Sequence, residues 1–213
     1  MSDPTASTSA ASADLVAGDE RPIPARVGMV PGAGAFGPGI ARFDKWADDH
    51  LERLRGNSWA DRVFPVATTL GEFSVIWHLT NAVRGITGIG RPQQIPTLAV
   101  LLSLESLVVN QGLKRIFRRT RPTTEGDPRF AIRRPLTSSF PSGHASSAAF
   151  TATVLTGWDG WRRAPLWWGL AGTVATSRAY VRIHHASDVV AGLVTGTVLG
   201  LGARRLLRRV DLD

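Results

Sequence analysis

The sequence predicts an all-α protein, a polytopic transmembrane helix bundle of about five spans preceded by an amphipathic helix. The first observation is a series of apolar segments of near-spanning length, at about 63–82, 95–113, 144–160, 165–181 and 188–206. The second is small residues at helix-contact spacing, as in Gly192-xxx-Gly196 and Gly196-xxx-Gly200, which let membrane helices pack closely. The third is a set of tryptophans that bracket a short loop, as at a membrane interface: Trp158, Trp161, Trp167 and Trp168.

The amino-terminal part of the chain divides into a tail and a helix. Residues 1–35 are rich in Ser, Ala, Gly, Pro and Asp, and they contain no basic region followed by an apolar stretch. This composition predicts a disordered tail rather than a signal peptide. Residues 36–60 predict an amphipathic helix that lies on a membrane surface or packs on a soluble core. Its apolar stripe has helical spacing: Phe43, Trp46, His50 or Leu51, and Leu54.

Residues 61–213 are expected to form the helical bundle, so that residues 36–213 make one domain. Hydropathy alone does not separate a membrane bundle from a soluble helical protein, because Glu72, His78 and Glu105 interrupt the apolar segments. The glycine spacing and the tryptophans favour the membrane. Carboxylates within a membrane are often functional, but no partner can be named for these two. We therefore interpret Glu72 and Glu105 as inward-facing, hydrogen-bonded helix contacts.

The charge balance points to an anionic ligand. The chain has 25 Lys and Arg against 17 Asp and Glu, a net charge of +8, and only Lys45 and Lys114 are lysines. Guanidinium groups bind phosphate and carboxylate through planar, bidentate contacts. The arginines cluster at predicted helix ends beside histidines, without the aromatic-interleaved basic surface of a nucleic-acid-binding protein, so no nucleic-acid partner is expected. The lack of cysteine excludes disulfides and thiolate metal sites.

A basic run, KRIFRRTRP, extends from Lys114 to Pro122. On a helix, Lys114 and Arg121 share a face, with Arg118 between them on nearly the same side. Pro122 biases Arg121 out of the helical region and ends the helix there. The run predicts two or three cations that converge on one anion where the segment leaves the apolar layer. A basic membrane edge without a ligand would have the same pattern.

The stretch FPSGH, from Phe140 to His144, has the features of a helix start that binds an anion. Pro141 suits the first turn of a helix, Ser142 offers a hydroxyl, and Gly143 lets the backbone approach a ligand closely. A helix that begins here points free N–H groups and the positive end of its dipole at the anion. His144 is then a candidate proton donor, although a capping turn followed by an incidental histidine is the commoner arrangement.

The third cluster, SRAYVRIHHASD, contains Arg178, His184 and Asp188. In a helix, Asp188 lies on the same face as His184, where it can hold the imidazole Nδ1–H and leave Nε2 free as a nucleophile. A surface His–Asp pair fits this spacing equally well. The rival is a metal site built from His144, His184, His185 and Asp188. Nearby cations repel a divalent ion, so we expect neither a metal nor a cofactor.

Together the three clusters resemble, complete and in order, the signature of the type 2 phosphatidic acid phosphatase superfamily: Lys114-x6-Arg121-Pro122, Pro141-Ser142-Gly143-His144 and Ser177-Arg178-x5-His184-x3-Asp188. The resemblance implies a catalytic core within residues 114–188. It implies that His184 attacks phosphorus, that Asp188 orients it, and that His144 protonates the leaving oxygen and later activates water. It also implies a phosphate-binding set without a metal: Lys114, Arg121, Ser142, Gly143 and Arg178. The family's core usually has six spanning helices, and here the first is absent or replaced by the tail and the amphipathic helix.

The resemblance implies a membrane-embedded lipid phosphatase that acts on a phosphomonoester or diphosphate, such as a polyprenyl phosphate or diphosphate, phosphatidic acid or phosphatidylglycerophosphate. The signature also occurs in soluble acid phosphatases and vanadium haloperoxidases, which act on small substrates, and the apolar segments argue against both. The other alternative is a non-catalytic membrane protein that binds anionic lipid headgroups. We expect the remaining arginines of these clusters to contact headgroups or to mark the membrane edge: Arg115, Arg118, Arg119, Arg133, Arg134 and Arg182.

The expected location is the plasma membrane, crossed several times. With five spans, the amino terminus and both site loops lie on one side of the bilayer, which carries 17 of the 25 Lys and Arg. The positive-inside rule then predicts a site that faces the cytoplasm. A sixth segment near 29–42 would reverse the part of this prediction that depends on the amino terminus.

Overall fold

The computed structural model describes residues 32–123, 127–130, 132 and 137–210, and all regular structure among them is helical. The predicted all-α class is therefore confirmed. Of the predicted tail, residues 1–31 lie outside the described residues, and Ala33–Phe36 form a short 3-10 helix. Seven helices follow: α1 (Pro38–Glu52), α2 (Ala60–Leu70), α3 (Val75–Ile86), α4 (Gln94–Ile116), α5 (Gly143–Asp159), α6 (Ala164–Tyr180) and α7 (Ala186–Arg209).

Helix α1 has two faces with different surroundings. Asp44 is buried against the bundle, and Leu51 packs on a small core cluster that includes Ala179. The other face carries the exposed stripe of Phe43, Trp46, His50 and Leu54, in which the Trp46 ring is 57% exposed and lies 4.4 Å from the His50 ring. The structure thus assigns His50, and not Leu51, to the predicted apolar stripe. An exposed aromatic stripe of this kind suits a membrane interface.

The first predicted apolar segment, 63–82, is not one helix, and this prediction is wrong. The turn Glu72–Ser74 separates α2 from α3, and Phe73 and Ser74 there have φ angles of 50° and 60°. Residues other than glycine rarely adopt this left-handed conformation, which costs roughly 1–3 kcal/mol for each residue. A continuous apolar pattern predicts a helix and cannot reveal such a turn. The break sets Gly71 against His144, since a Cβ at Gly71 would lie 2.6 Å from the imidazole Cδ2.

Helices α4 and α7 are long and apolar enough to cross a membrane, with 23 and 24 residues. Each carries a row of exposed aliphatic side chains, Val100, Leu104 and Leu107 on α4 and Val190, Val194 and Val198 on α7. Rows of this kind suit lipid better than water. Helices α5 and α6 have 17 residues each, and no further helix among the described residues meets the same test of length and composition. The predicted number of about five spans is therefore not confirmed.

The middle of α4 is wound more widely than an α-helix. Leu107–Leu113 form a π-helical segment between Gln94–Ser106 and Lys114–Ile116. Glu105 and Lys114 are nine residues apart, so at about 100° per residue an ordinary α-helix would place them on opposite sides. The π-helix takes more residues for each turn, which rotates Lys114 toward the side of Glu105. Both residues line the same cavity.

Helix α5 is the centre of the bundle and packs closely on α7. Every residue from Ala145 to Leu155 is buried. Gly192 and Gly196 of α7 lie against the carbonyl oxygens of Ser142 and Ser146, and a Cβ at either glycine would collide with that backbone. The close helix contact predicted from the glycine spacing is therefore present. It fixes the position of the amino-terminal end of α5.

The end of the bundle opposite α1 is closed by a buried charge network, which we call the Arg84 network. Arg84 of α3 pairs with Asp159 at the end of α5, and the two side chains are 2% and 1% exposed. The remaining Arg84 N–H groups donate to Asn81 Oδ1 at 2.8 Å and to Gln94 Oε1 at 3.1 Å. The guanidinium also lies 5.5 Å from the centre of the Trp158 ring. Each nitrogen of the Arg84 guanidinium therefore has a partner within the protein.

Candidate active site

A cavity of about 460 Å³ lies where α4 ends and α5 begins. Six of the eight residues predicted for the site line it: Lys114, Arg121, Gly143, His144, Arg178 and His184. The rest of the lining comes from the break between α2 and α3, from α4, and from two further residues: Gly71, Glu72, Phe73, Ser74, Glu105, Ser106, Asn110, Thr137 and Ser147. The other two predicted residues, Ser142 and Asp188, lie behind the cavity wall.

The structure brings Lys114 and Arg121 together, although not on one helical face as the spacing predicted. Helix α4 ends at Ile116, and Phe117 is already extended, with φ −102° and ψ 109°. In the segment that follows, Arg118 and Thr120 are exposed, whereas Arg119 and Arg121 are buried. This is the alternation of an extended chain and not of a helix. The helix thus ends at Ile116, well before Pro122, whose restriction reaches only Arg121.

Helix α5 begins within the predicted stretch, at Gly143, but Pro141 precedes the cap and lies outside the first turn that was predicted for it. The next residues divide into two roles. The Ser142 hydroxyl accepts a hydrogen bond from the Ala145 N–H at 3.4 Å, which makes Ser142 the amino-terminal cap of the helix. Its own N–H donates to the Asp188 carbonyl at 3.0 Å, and its side chain is fully buried. Gly143 does face the cavity, since a Cβ there would lie 3.5 Å from Lys114 Nζ.

His184 and Asp188 are joined across the start of α7 and not along one helix. The helix begins at Ala186, so His184 precedes it and Asp188 lies in its first turn. Asp188 Oδ2 is 3.6 Å from His184 Nδ1 and accepts hydrogen bonds from the Ser139 hydroxyl and, at 2.9 Å, from the His185 N–H. On the other side of the ring, Arg121 Nη1 lies 2.9 Å from His184 Nε2. Since Arg121 can only donate, this contact corresponds to an imidazole protonated on Nδ1.

The surroundings keep His184 neutral. Burial away from water lowers the pKa of the imidazole, and Asp188 opposes this shift while Arg121 and Arg178 add to it. A charged imidazolium is costly in a buried place beside guanidinium groups. The Nε2 lone pair is therefore present at neutral pH, as a nucleophile requires.

Arg178 is held by Thr68 of α2, a residue that no pattern in the sequence singles out. Arg178 is fully buried, and its Nη1 donates to Thr68 Oγ1 at 2.5 Å. Within the described part of the chain, Arg178 Nε, Arg178 Nη2 and His144 Nε2 are buried without a hydrogen-bond partner. Five other side-chain atoms of the described residues are also buried without a partner, but only these three belong to side chains that line the cavity, where a ligand can reach them.

Arg119 and Ser139 are site residues that the sequence analysis missed. Arg119 was expected to contact headgroups or to mark the membrane edge, and this is wrong. Its side chain is fully buried and pairs with Asp188 Oδ1 at 2.6 Å. The i, i+2 spacing of Arg119 and Arg121 is the signal that the sequence offers, because in an extended chain it places both side chains on the same side. Ser139 has no comparable signal in the sequence, because its role depends on a fold that brings it to Asp188.

Glu105 and the arginines that were predicted to lie outside the site occupy different parts of the structure. Glu105 is buried and accepts a hydrogen bond from Ser146, which agrees with an inward-facing contact. Arg182 pairs with Asp48 and Glu52 of α1, and Arg115 and Arg118 are exposed. Arg133 and Arg134 lie outside the described residues. No group of three or more His, Asp or Glu side chains suited to a metal ion occurs in the part of the chain that the structure describes.

Comparisons with known proteins agree with this architecture. The model of the PAP2 superfamily matches residues 96–211. The first transmembrane PAP2 type phosphatidylglycerolphosphate phosphatase from Bacillus subtilis is 20% identical, with a TM-score of 0.63, and the match covers 84% of this chain and 91% of that one. LpxE from Aquifex aeolicus is 22% identical, with a TM-score of 0.58 and coverage of 77% and 93%. No curated protein matches the sequence significantly.

Proposed function

Because this chain belongs to the PAP2 superfamily and is a phosphatase, we propose that it is a membrane enzyme that removes phosphate from a lipid phosphomonoester or diphosphate through a phosphohistidine at His184. The observation that carries this proposal is the set of unpartnered nitrogens on Arg178 and His144. These nitrogens belong to side chains that line a cavity which also contains Lys114, Arg121 and the neutral His184. A phosphoryl group supplies the oxygens that such nitrogens lack, and its negative charge offsets the buried cations.

In the first step, the phosphoryl oxygens bind Lys114, Arg121, Arg178 and the amino-terminal end of α5. A phosphoryl oxygen competes for the Arg121 N–H that faces His184 Nε2, and this frees the Nε2 lone pair. Nε2 then attacks phosphorus, the bond from phosphorus to the leaving oxygen breaks, and protonated His144 transfers its proton to that oxygen. A dianionic phosphate next to His144 favours the protonated form that this role requires.

In the second step, a water molecule attacks phosphorus from the side that the leaving group has vacated. Neutral His144 takes the proton from water, the P–Nε2 bond breaks, and inorganic phosphate is released. His184 returns to its starting state with Nδ1–H directed at Asp188. The cations hold the equatorial oxygens throughout, which is the main contribution that a protein makes to phosphoryl transfer.

The cavity lining supports a lipid substrate. Beyond the cations, the cavity extends to the break between α2 and α3, where Phe73 and Ser74 line it, and to α4, where Ser106 lines it. Phe73 is 85% exposed, and Val75 and Leu107 are 40% and 58% exposed. We infer that a substrate with its phosphate among the cations extends its chain past Phe73, between the α2–α3 break and α4, into the bilayer. Polyprenyl phosphates and diphosphates, phosphatidic acid and phosphatidylglycerophosphate all fit this chemistry.

The test is release of inorganic phosphate from a panel of these lipids by the purified, detergent-solubilised full chain, with a chelator present. We expect release by the wild type, none by His184→Ala, and normal release by His78→Ala, which removes an exposed histidine of α3. A substrate labelled at the terminal phosphate should leave an acid-labile, alkali-stable label on the wild type and none on His184→Ala.

Three outcomes would count against the proposal. Release that survives in His184→Ala would mean that another group is the nucleophile. Release that needs a divalent ion would replace the phosphohistidine with metal chemistry. No release from any lipid, together with anionic-vesicle binding that His184→Ala retains, would favour a protein that only binds headgroups.

We further propose that the chain crosses the plasma membrane several times with its site toward the cytoplasm. The site end of the bundle carries most of the arginines, as the positive-inside rule requires. Because the chain has no cysteine, Ser58→Cys, in the exposed loop before α2, and Arg162→Cys, in the loop between α5 and α6, would each give a single labelling site. In intact cells, an impermeant thiol reagent should label only Arg162→Cys. Labelling of Ser58→Cys alone would reverse the orientation.

A further inference from the structure

A buried guanidinium connects the amphipathic helix α1 to the carboxylate behind the proposed nucleophile. Arg119 Nη1 is 2.6 Å from Asp188 Oδ1, and Arg119 Nη2 is 2.6 Å from Asp44 Oδ2. Nη1 also donates to Ser187 Oγ at 2.7 Å, and Nε donates to the Gly32 carbonyl at 3.0 Å. The Arg119 side chain is fully buried. One residue therefore occupies a fixed position between two carboxylates that are far apart in the sequence.

The two carboxylate oxygens of Asp188 contact different partners. Oδ1 accepts from Arg119, and Oδ2 accepts from the Ser139 hydroxyl and the His185 N–H while it faces His184 Nδ1 at 3.6 Å. A carboxylate held by only one oxygen can rotate about its Cβ–Cγ bond. Because Arg119 fixes Oδ1, it also fixes the direction in which Oδ2 faces the imidazole.

Asp44 holds Arg119 from the side of α1. Its Oδ2 accepts from Arg119 and, at 2.9 Å, from the Ser187 hydroxyl, and its Oδ1 accepts from the Ser187 N–H at 2.7 Å. Asp44 is buried on the side of α1 that faces the bundle, whereas Phe43 and Trp46 of the stripe are exposed. The start of α7 is thus fastened to α1 through hydrogen bonds that converge on Arg119 and Asp44.

We propose that Arg119 is a positioning residue for the nucleophile, that Asp44 holds Arg119 in place, and that α1 is therefore part of the catalytic apparatus. This inference rests on the proposed role of His184. Arg119 does not line the catalytic cavity but a neighbouring one, which shares Lys114 and Thr137 with it. All three of its guanidinium nitrogens are hydrogen-bonded within the protein, so its effect passes through Asp188 and His184 and not through contact with phosphate. The guanidinium fork is required because lysine cannot reach Asp44, Asp188 and Gly32 at the same time.

The experiment compares four variants of the full chain: Arg119→Gln, Arg119→Lys, Asp44→Asn and, as a matched control, Arg84→Gln. Arg84 is also a buried arginine paired with a carboxylate, at the opposite end of the bundle. We would measure kcat and KM on the best lipid substrate, the Kd for orthovanadate and the melting temperature. The 15N signals of the His184 imidazole, identified by comparison with His184→Ala, would report its tautomer without any substrate.

We expect Arg119→Gln to lower kcat by about 10- to 100-fold, the range found for partners that orient functional histidines at metal sites, with KM and the vanadate Kd unchanged. Arg119→Lys should recover part of this loss, and Asp44→Asn should lower kcat less than Arg119→Gln does. The His184 signals should show the Nδ1–H tautomer in the wild type and a tautomer mixture in Arg119→Gln. Arg84→Gln should lower the melting temperature and leave the kcat of the folded protein unchanged.

An unchanged kcat in Arg119→Gln would overturn the inference, as would a fall in kcat that parallels the loss of folded protein, or a rise in KM alone. If the wild type releases no phosphate, the proposed function fails instead. The tautomer measurement still decides the positioning role in that case. Identical His184 signals in the wild type and Arg119→Gln would overturn it, and the expected mixture would support it.

Discussion

Each end of the bundle buries an arginine, and the two arginines differ in how the protein satisfies them. Arg84 is 2% exposed, and each of its guanidinium nitrogens has a partner in the Arg84 network. Arg178 is 0% exposed, and two of its three guanidinium nitrogens have no partner within the described part of the chain. A buried charge without hydrogen bonds is costly, so a protein keeps one where a ligand completes it. The comparison separates an arginine that supports the fold from one that binds a substrate.

Removal of the proton donor at the site end should have the largest effect. His144→Gln should lower kcat on lipid phosphates by about 10²- to 10⁴-fold, since general acid–base catalysis contributes this much. An aryl phosphate, whose leaving group needs little protonation, should lose much less activity in the first step. Rapid-mixing assays of phosphoenzyme formation on both substrates would check this. Equal losses on the two substrates would give His144 a structural role, like that of the residues around Arg84.

Arg178→Gln should weaken catalysis without lowering the stability of the protein. Transition-state contacts of this kind contribute about 10²- to 10³-fold to the rate, so kcat/KM should fall by that amount. The melting temperature should stay the same or rise, because the substitution removes a buried charge that lacks partners. Thermal unfolding and steady-state kinetics would be measured on the same preparation. A fall in melting temperature would mean that Arg178, like Arg84, supports the fold.

Arg84→Gln should show the opposite behaviour. It leaves Asp159 buried without its charged partner, which costs about 3–5 kcal/mol of unfolding free energy, while the rate per folded molecule should not change. Denaturant unfolding checks the first part and active-site titration the second. The double variant Arg84→Gln with Asp159→Asn should recover part of the stability, because it removes the unpaired charge. A loss of rate without a loss of stability would contradict the structural role of the network.

Phosphate should stabilise the protein by binding at Arg178, and the Arg84 network should not contribute to this effect. A ligand at 100 times its Kd adds about 2.7 kcal/mol to the unfolding free energy, so phosphate or vanadate should raise the melting temperature of the wild type. Arg84→Gln should show the same increment from a lower starting value, whereas Arg178→Gln should show little or none. Sulfate at equal ionic strength is the control for general salt effects. An increment that survives in Arg178→Gln would place the anion elsewhere.

The exposed charges around α1 should have the smallest effect. A hydrogen bond from Arg129, followed by one from Arg55, lowers the pKa of Glu52 to about 2. Its folded-state pKa is lower than its unfolded-state pKa, so this stabilisation is present above about pH 4.5 and is lost as the pH falls toward 2. Because the side chain is 47% exposed, Glu52→Gln should cost less than about 1 kcal/mol at pH 7. The difference should vanish at low pH and shrink in high salt, as melting curves would show.

The sequence predicts the helical class and most of the site, because these depend on local patterns. Apolar segments locate α4 and α7 well, and the glycine spacing predicts the contact between α5 and α7. The clustering of cations and histidines predicts five of the residues that line the cavity, and the helix start predicts a sixth, Gly143. Each of these signals lies within a short window of sequence, in which periodicity and turn chemistry are informative.

The residues that the sequence does not predict act over long distances in the chain. Thr68 contacts Arg178, Ser139 contacts Asp188, and Asp44 contacts Arg119, and no local pattern connects the members of these pairs. The break at Phe73 has no signal either, because its left-handed backbone goes against residue preference and depends on tertiary packing. Helical spacing also predicts the wrong position for Arg121, which lies in an extended segment and not on a helical face with Lys114.

The wide π-helical winding of Leu107–Leu113 makes the length of α4 as important as its composition. Side chains in this segment can vary and Lys114 will still reach the cavity, provided that the winding matches the number of residues. If the segment kept all its residues but wound as an ordinary α-helix, Lys114 would turn by about 100°, to the side opposite Glu105. A deletion of one residue together with α-helical winding would leave eight steps of about 100° between the two residues and keep Lys114 on the side of Glu105. A related chain that is one residue shorter here can therefore keep its lysine in the cavity only as an ordinary α-helix.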